Sequence, residues 1–153
     1  MDGEVLQKSY DFLLDTGIII RHLRNDKRAH NLLDLLEQMG KLSVSAITYM
    51  EILVGCQPDE EESTKLFFER IPPHIISQEI AEKAASLIKK YQDVFGKDNP
   101  RQYPDALIAA TAWQQQGVLV TLNKKHFGKT LIGEFTIQVI DQDAKDWVSL
   151  LKL

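Results

Sequence analysis

Tyr10-Asp11-Phe12-Leu13-Leu14-Asp15-Thr16-Gly17 is the stretch that decides the fold. Its run from Tyr10 to Leu14 has the length and apolar character of a buried strand, and Asp15, Thr16 and Gly17 stop it as a turn. A helix is then expected from Ile18 to Leu23. From Ala29 to Met39 the residues Leu32, Leu33, Leu35, Leu36 and Met39 follow helical spacing, and Gly40 supplies a stop. A strand that feeds an amphipathic helix at once is the opening of an α/β chain.

The alternation continues outward from there. Leu42 to Val44 reads as a second strand, and Ser45 as the cap of a helix carrying Tyr49 to Leu53 and closed by Gly55. Pro58 opens another helix whose first turn holds Asp59 to Glu62, where negative charge suits the macrodipole; Leu66, Phe67 and Ile71 supply its apolar face. His74 to Ile76 is a short third strand after Pro72 and Pro73. Glu79 to Phe95 reads as one long helix with Ile80, Ala84, Leu87, Ile88 and Tyr91 inward.

Gly96 to Tyr103 is polar and rich in breakers, which predicts a mobile loop. Pro104 fits the first position of a helix reaching Gly117. Val118 to Leu122 is a strand, Asn123 to Gly133 a loop, Thr136 to Ile140 the last strand and Asp143 to Leu151 a closing helix. Strands alternating with helices throughout imply a three-layer α/β/α fold with a mostly parallel central sheet.

At 153 residues the chain is expected to form one domain, 1–153, and its 44% hydrophobic and 26% charged content suggests neither disorder nor a fibrous architecture. Cys56 is the sole cysteine, which excludes an internal disulfide framework or a cysteine-based zinc cluster and suits a reducing compartment. It reads best as a small, buried residue near a helix end. No segment has the apolar length to cross a bilayer, and Asp2 and Glu4 stand where a secretion signal carries basic residues. A cytoplasmic protein is expected. The net charge of −4 provides no global attraction to nucleic acid, although bound divalent cations invert such a field locally.

In open parallel sheets, sites lie beyond the carboxyl ends of the strands. That rule selects Asp15 after the first strand, Thr121 and Asn123 at the end of the fourth, and Asp105 in the first turn of the helix feeding it. Glu51 joins them as an acid among apolar neighbours, where a carboxylate needs a partner or a metal ion to offset desolvation. Taken singly, Asp15 also reads as a turn residue and Asp105 as a helix-start acid. Together, several hard oxygen donors suit Mg²⁺ or Mn²⁺. Such an ion provides hydroxide near neutral pH and neutralises charge growing on a phosphate, which is what phosphodiester hydrolysis requires.

Four motifs in order carry a family likeness: Leu13-Leu14-Asp15-Thr16; Ser45 to Gly55 around Glu51; Asp105-Ala106-Leu107-Ile108-Ala109-Ala110-Thr111-Ala112; and Val120-Thr121-Leu122-Asn123 followed by His126-Phe127. Over nearly its whole length the chain resembles the PIN-domain ribonucleases, and within them the VapC-like toxins of toxin-antitoxin pairs. The resemblance implies a PIN-like fold and a metal-dependent endoribonuclease with Asp15, Glu51 and Asp105 as ligands to Mg²⁺ or Mn²⁺. It further implies that Thr121 orders the site by hydrogen bonding, that a cognate antitoxin occludes it, that the protein is a homodimer, and that the substrate is a structured RNA, commonly transfer RNA. Many PIN domains carry a further Asp where this chain has Asn123, so a second metal would bind more weakly here, and Asn123 reads as a water or phosphate contact.

Two basic groups flank the expected crevice: Arg21, Arg24, Lys27 and Arg28 after Asp15, and Lys124, Lys125 and His126 after Asn123. They suit either phosphates or solvent. His126 reads best as a loop-stabilising donor and Phe127 as a core anchor, while Arg101 and Tyr103 lie in the breaker-rich loop where they would meet RNA or solvent. Three other classes compete. Asp15-Thr16-Gly17 matches the short motif of aspartic proteases, but helical periodicity follows it at once. Asp15 as a phosphotransfer nucleophile leaves Glu51 unexplained. A catalytically silent PIN-like scaffold binding RNA or protein is the alternative that Asn123 keeps open.

Overall fold

In the computed structural model, strand β1 (Tyr10–Leu14) buries Phe12, Leu13 and Leu14 completely. Side chains alternate across a strand. Phe12 and Leu14 therefore enter one core, with Leu32, Leu36 and Trp147, while Leu13 enters a second, with Leu87, Ala109 and Ile108. A strand apolar at consecutive positions is what two covered faces demand. The structure describes residues 9–127 and 133–153. Asp2 and Glu4, and residues 128–132 of the loop expected between Asn123 and Gly133, lie outside the described residues.

Strand β1 is followed without a turn by α1 (Thr16–Leu23), and Asp15 is the N-cap. Next come α2 (Lys27–Met39), capped by Asp26, β2 (Gly40–Ser45) and α3 (Ala46–Gly55), where Ser45 Oγ accepts from the Ile47 amide at 3.2 Å. A 3₁₀ turn (Pro58–Glu60) leads into α4 (Glu61–Arg70) and the short β3 (Pro73–His74). Then α5 (Gln78–Lys90), α6 (Gln92–Phe95) and α7 (Gln102–Gln114) precede β4 (Val118–Thr121), α8 (Lys124–Phe127) and β5 (Thr136–Val139).

The strands form one sheet in the order β3-β2-β1-β4-β5, parallel at every pairing. The order reverses between β1 and β4, which is where such sheets open a crevice. Two glycines set the spacing around β1. A Cβ at Gly40 would lie 2.0 Å from the Tyr10 carbonyl oxygen, and one at Gly117 would lie 2.4 Å from that of Asp11. Both had read only as helix stops.

Several boundaries differ from the sequence reading. The long helix breaks at Tyr91, after which Val94 and Phe95 are buried and Phe95 meets Phe127 edge-on at 5.9 Å. On α4 the inward residues are Thr64 and Phe68, with Phe67 packed at the edge of the core, whereas Leu66 is exposed. Helix α7 starts at Gln102, two residues before Pro104; the first turn tolerates proline because its amides have no intrahelical acceptor. The expected closing helix is only turns and a 3₁₀ segment (Val148–Leu150). Lys124 to Phe127, expected as loop, is a helical turn.

Candidate active site

Asp15 stands at the carboxyl end of β1, beside the point where the strand order reverses. Its Oδ1 accepts from the Thr16 amide at 2.8 Å and its Oδ2 from the Thr121 hydroxyl at 2.5 Å. Burial pushes the Asp15 carboxyl above its usual pKa; the Thr121 hydrogen bond opposes this and the nearby Asp105 charge adds to it. Thr121, fully buried, also accepts from the Asn123 amide at 2.9 Å. One hydroxyl thus ties the end of β4 to the acid on β1.

Glu51 lies on α3 one turn beyond Thr48, so the two share a face. Thr16 Oγ1 donates to Glu51 Oε1 at 2.9 Å and lies 3.0 Å from Thr48 Oγ1. Because a hydroxyl has one proton, Thr48 is the donor in that second contact. Of the two apolar residues flanking Glu51, Ile52 is buried as expected, but Met50 is exposed. Cys56, just past α3, is half-buried rather than buried, with its thiol 3.5 Å from the Leu53 carbonyl.

Asp105 occupies the first turn of α7 and is only 1% exposed. Its Oδ2 accepts from the side-chain amides of Asn99 at 3.0 Å and Asn123 at 3.3 Å, and its Oδ1 from Arg101 Nε at 3.2 Å. Arg101 reaches further. Its Nη1 donates to Glu51 Oε2 at 2.6 Å and its Nη2 to Glu51 Oε1 at 3.2 Å, so one guanidinium joins the acids of α3 and α7. The hydrogen bonds to Glu51, with the surrounding negative charge, hold Arg101 firmly protonated.

The breaker-rich segment is therefore fastened to the site rather than loose. Asn99 is buried, donates to the Val94 carbonyl and accepts from the Arg101 amide, and Gln102 donates to the Phe95 carbonyl. Tyr103 stays exposed. Asn123 is used locally: its Oδ1 accepts from the His126 amide at 3.2 Å while its amide faces Asp105, which leaves its oxygen a helix-turn cap rather than a free donor to an ion. His126 serves this turn through its backbone. Phe127 is buried, as a core anchor should be.

Asp15, Arg21, Asn99, Arg101, Lys125 and His126 are among the residues lining a crevice of about 510 Å³. Glu51 and Arg24 face a neighbouring groove of about 350 Å³, and Asp105 lines neither. The basic residues divide accordingly. Arg21, Lys125 and His126 reach the crevice. Arg28 does not: it pairs with Asp26, donates to the Gln142 and Ala144 carbonyls and lies 4.6 Å over the Trp147 ring.

The donor set suits a hard divalent ion in kind, since it consists of carboxylate oxygens. Among the described residues, however, the acids are not drawn together tightly enough to enclose one; Arg101 lies between two of them. Thr16, Thr48, Asn99 and Arg101 are the parts of this network not expected as site residues from the sequence. The four-residue spacing of Arg101 and Asp105, and the three-residue spacing of Thr48 and Glu51, are the signals that would have found two of them.

The PIN domain family matches residues 12–130, and the chain belongs to that family. Ribonuclease VapC19 of Mycobacterium tuberculosis is 31% identical over 117 residues, 75% of this chain and 90% of the relative. A toxin-antitoxin complex from Klebsiella pneumoniae contains a chain that is 29% identical with a TM-score of 0.64, covering 82% of this chain and 98% of that one. VapBC2 from Rickettsia felis, bound to a promoter DNA fragment, shares the fold at a TM-score of 0.70 and 21% identity, covering 86% and 99%. Asp15-Thr16-Gly17 accordingly opens a helix after a parallel strand, and its likeness to aspartic proteases ends with the three residues.

Proposed function

We propose that this protein is a divalent-metal-dependent endoribonuclease, the toxin of a toxin-antitoxin pair, hydrolysing RNA phosphodiester bonds in the cytoplasm. The observation that carries the reading is the joining of Asp15, Glu51 and Asp105, from three separate elements, by Thr16, Thr121 and Arg101 at the reversal of strand order. The ribonuclease relative and the toxin-antitoxin neighbour support it.

Asp15, Glu51 and Asp105 are the residues that would hold Mg²⁺ or Mn²⁺. When bound, the ion supplies an activated water near neutral pH and neutralises charge on the scissile phosphate. The chain's own residues provide the setting. Thr121 holds Asp15 Oδ2, as the Thr16 amide holds Oδ1, and so sets which way the carboxylate faces. Asn99 and Asn123 hold Asp105 in place through Oδ2. Arg21, Lys125 and His126 line the crevice and would bind the flanking phosphates of an RNA strand, with structured RNA such as transfer RNA as the substrate class.

A cognate antitoxin covering the crevice, and a homodimer as the functional form, complete the proposal. Expression in a bacterial host tests it. The wild type arrests growth, co-expression of the neighbouring antitoxin gene restores it, and Asp15→Asn is harmless. Growth arrest that persists in Asp15→Asn would instead favour the catalytically silent scaffold.

A further inference from the structure

Arg101 uses the oxygens that a divalent ion would need. Its fork takes Glu51 Oε1 and Oε2 together with Asp105 Oδ1, and the remaining Asp105 oxygen is occupied by the amides of Asn99 and Asn123. A guanidinium already bonded to both Glu51 oxygens and to Asp105 Oδ1 repels a hard cation arriving at those same oxygens and competes with it for their lone pairs. Nor is Arg101 sealed in: its side chain is 41% exposed and forms part of the crevice wall, so it has space to withdraw. The carboxylate it would leave behind on Asp105 is 1% exposed and could not remain charged there alone without cost.

We propose that Arg101 is a resident counter-cation that competes with the divalent ion for Glu51 and Asp105, so that the ion's affinity is set by the displacement of this side chain. Without an ion the guanidinium neutralises the two acids and keeps α3 and α7 together; with one, it moves into the crevice. This rests on the metal-site reading above. Its distinctive consequence is that removing a side chain in contact with both acids strengthens ion binding, whereas removing a supporting contact would weaken it.

The test is a Mn²⁺ binding isotherm, read from the loss of the free aqueous-ion electron paramagnetic resonance signal, on the purified full chain, with circular dichroism to establish folding. Arg101→Gln is expected to bind Mn²⁺ at least about tenfold more tightly than the wild type, the scale set by one charge removed at contact distance. Arg101→Lys, which keeps the charge but cannot fork onto both acids, should fall between them, and Asp105→Asn should bind least. Equal or weaker binding by folded Arg101→Gln, with the wild type binding and Asp105→Asn not, overturns the proposal while leaving the metal site standing. If Arg101→Gln does not fold, Arg101→Lys decides in the same way. If wild type and Arg101 variants are all folded and none depletes the signal, the metal site itself is wrong and the proposal falls with it.

Discussion

Thr121 and Asp15 are 106 residues apart in the chain and are joined by a 2.5 Å hydrogen bond, hydroxyl to carboxylate. The bond crosses from β4 to β1, where the order of the parallel strands reverses, and joins two buried side chains at the crevice wall. It makes the orientation of the proposed catalytic acid a property of the sheet rather than of a loop.

Thr121→Val keeps the shape and removes the donor. It leaves Asp15 Oδ2 and the Asn123 amide without a partner, at a cost of about 1–3 kcal/mol. RNA cleavage should fall about 10–100-fold, with a modest drop in thermal midpoint, and Thr121→Ser should recover most of both. Parallel cleavage assays and thermal melts check this.

Arg21 and Lys125 line the crevice but bond to none of the three acids, and the proposed function gives them the flanking phosphates of the substrate. Replacing each by Gln should weaken RNA binding irrespective of sequence and lower the salt dependence of log affinity by roughly one ion per lost contact. Fluorescence anisotropy with a labelled RNA over a salt series measures it. An unchanged slope would place the RNA elsewhere.

His22 reports on stability rather than catalysis. Its ring lies 4.2 Å from that of His30 and 5.0 Å from that of Phe67, and its Nδ1 is buried without a hydrogen-bond partner. Burial, with the His30 and Arg70 charges, lowers its pKa below the usual histidine value, against smaller opposing effects from Asp34 and Glu37. The unfolded chain therefore takes up this proton first as pH falls. The stability His22 contributes is complete above about pH 6.5 and drains away below it, toward the lower folded pKa. Urea titrations from pH 7.5 to pH 5 should show this loss, and His22→Phe should flatten it.

Gly40 and Gly55 make a controlled comparison, since a methyl group at Gly40 collides with the Tyr10 carbonyl and one at Gly55 meets nothing within 4 Å. Gly40→Ala should cost about 3 kcal/mol or more, because backbone must move at the β1–β2 pairing. Gly55→Ala, at the end of α3, should be neutral or stabilising by up to about 1 kcal/mol. Urea midpoints distinguish them.

The contrast between what was and was not legible in the sequence follows the same physics. Leu13 and Leu14 announced a two-sided strand because period and apolarity are local properties, and Ser45 announced a helix start because capping is local too. Asp15, Thr121, Asp105 and Asn123 were selected by one topological rule, and the fold places them at the strand ends or the helix start that it names. The inward turn of Arg101 was not legible. Gly96 to Tyr103 has the composition of a free loop, and its path is fixed by long-range bonds from Asn99, Arg101 and Gln102 that no periodicity encodes. The break at Tyr91 and the exposure of Leu66 escaped for a related reason: helical spacing tells which residues share a face, not where the partner surface ends.

Cleavage of total cellular RNA by the purified protein with Mg²⁺, with Mn²⁺ and with EDTA, wild type against Asp105→Asn, tests the central claim most directly. Discrete products from the wild type that disappear with EDTA and in Asp105→Asn are the predicted result. Products that survive EDTA, or identical patterns from wild type and Asp105→Asn, would contradict a metal-dependent nuclease built on Asp15, Glu51 and Asp105.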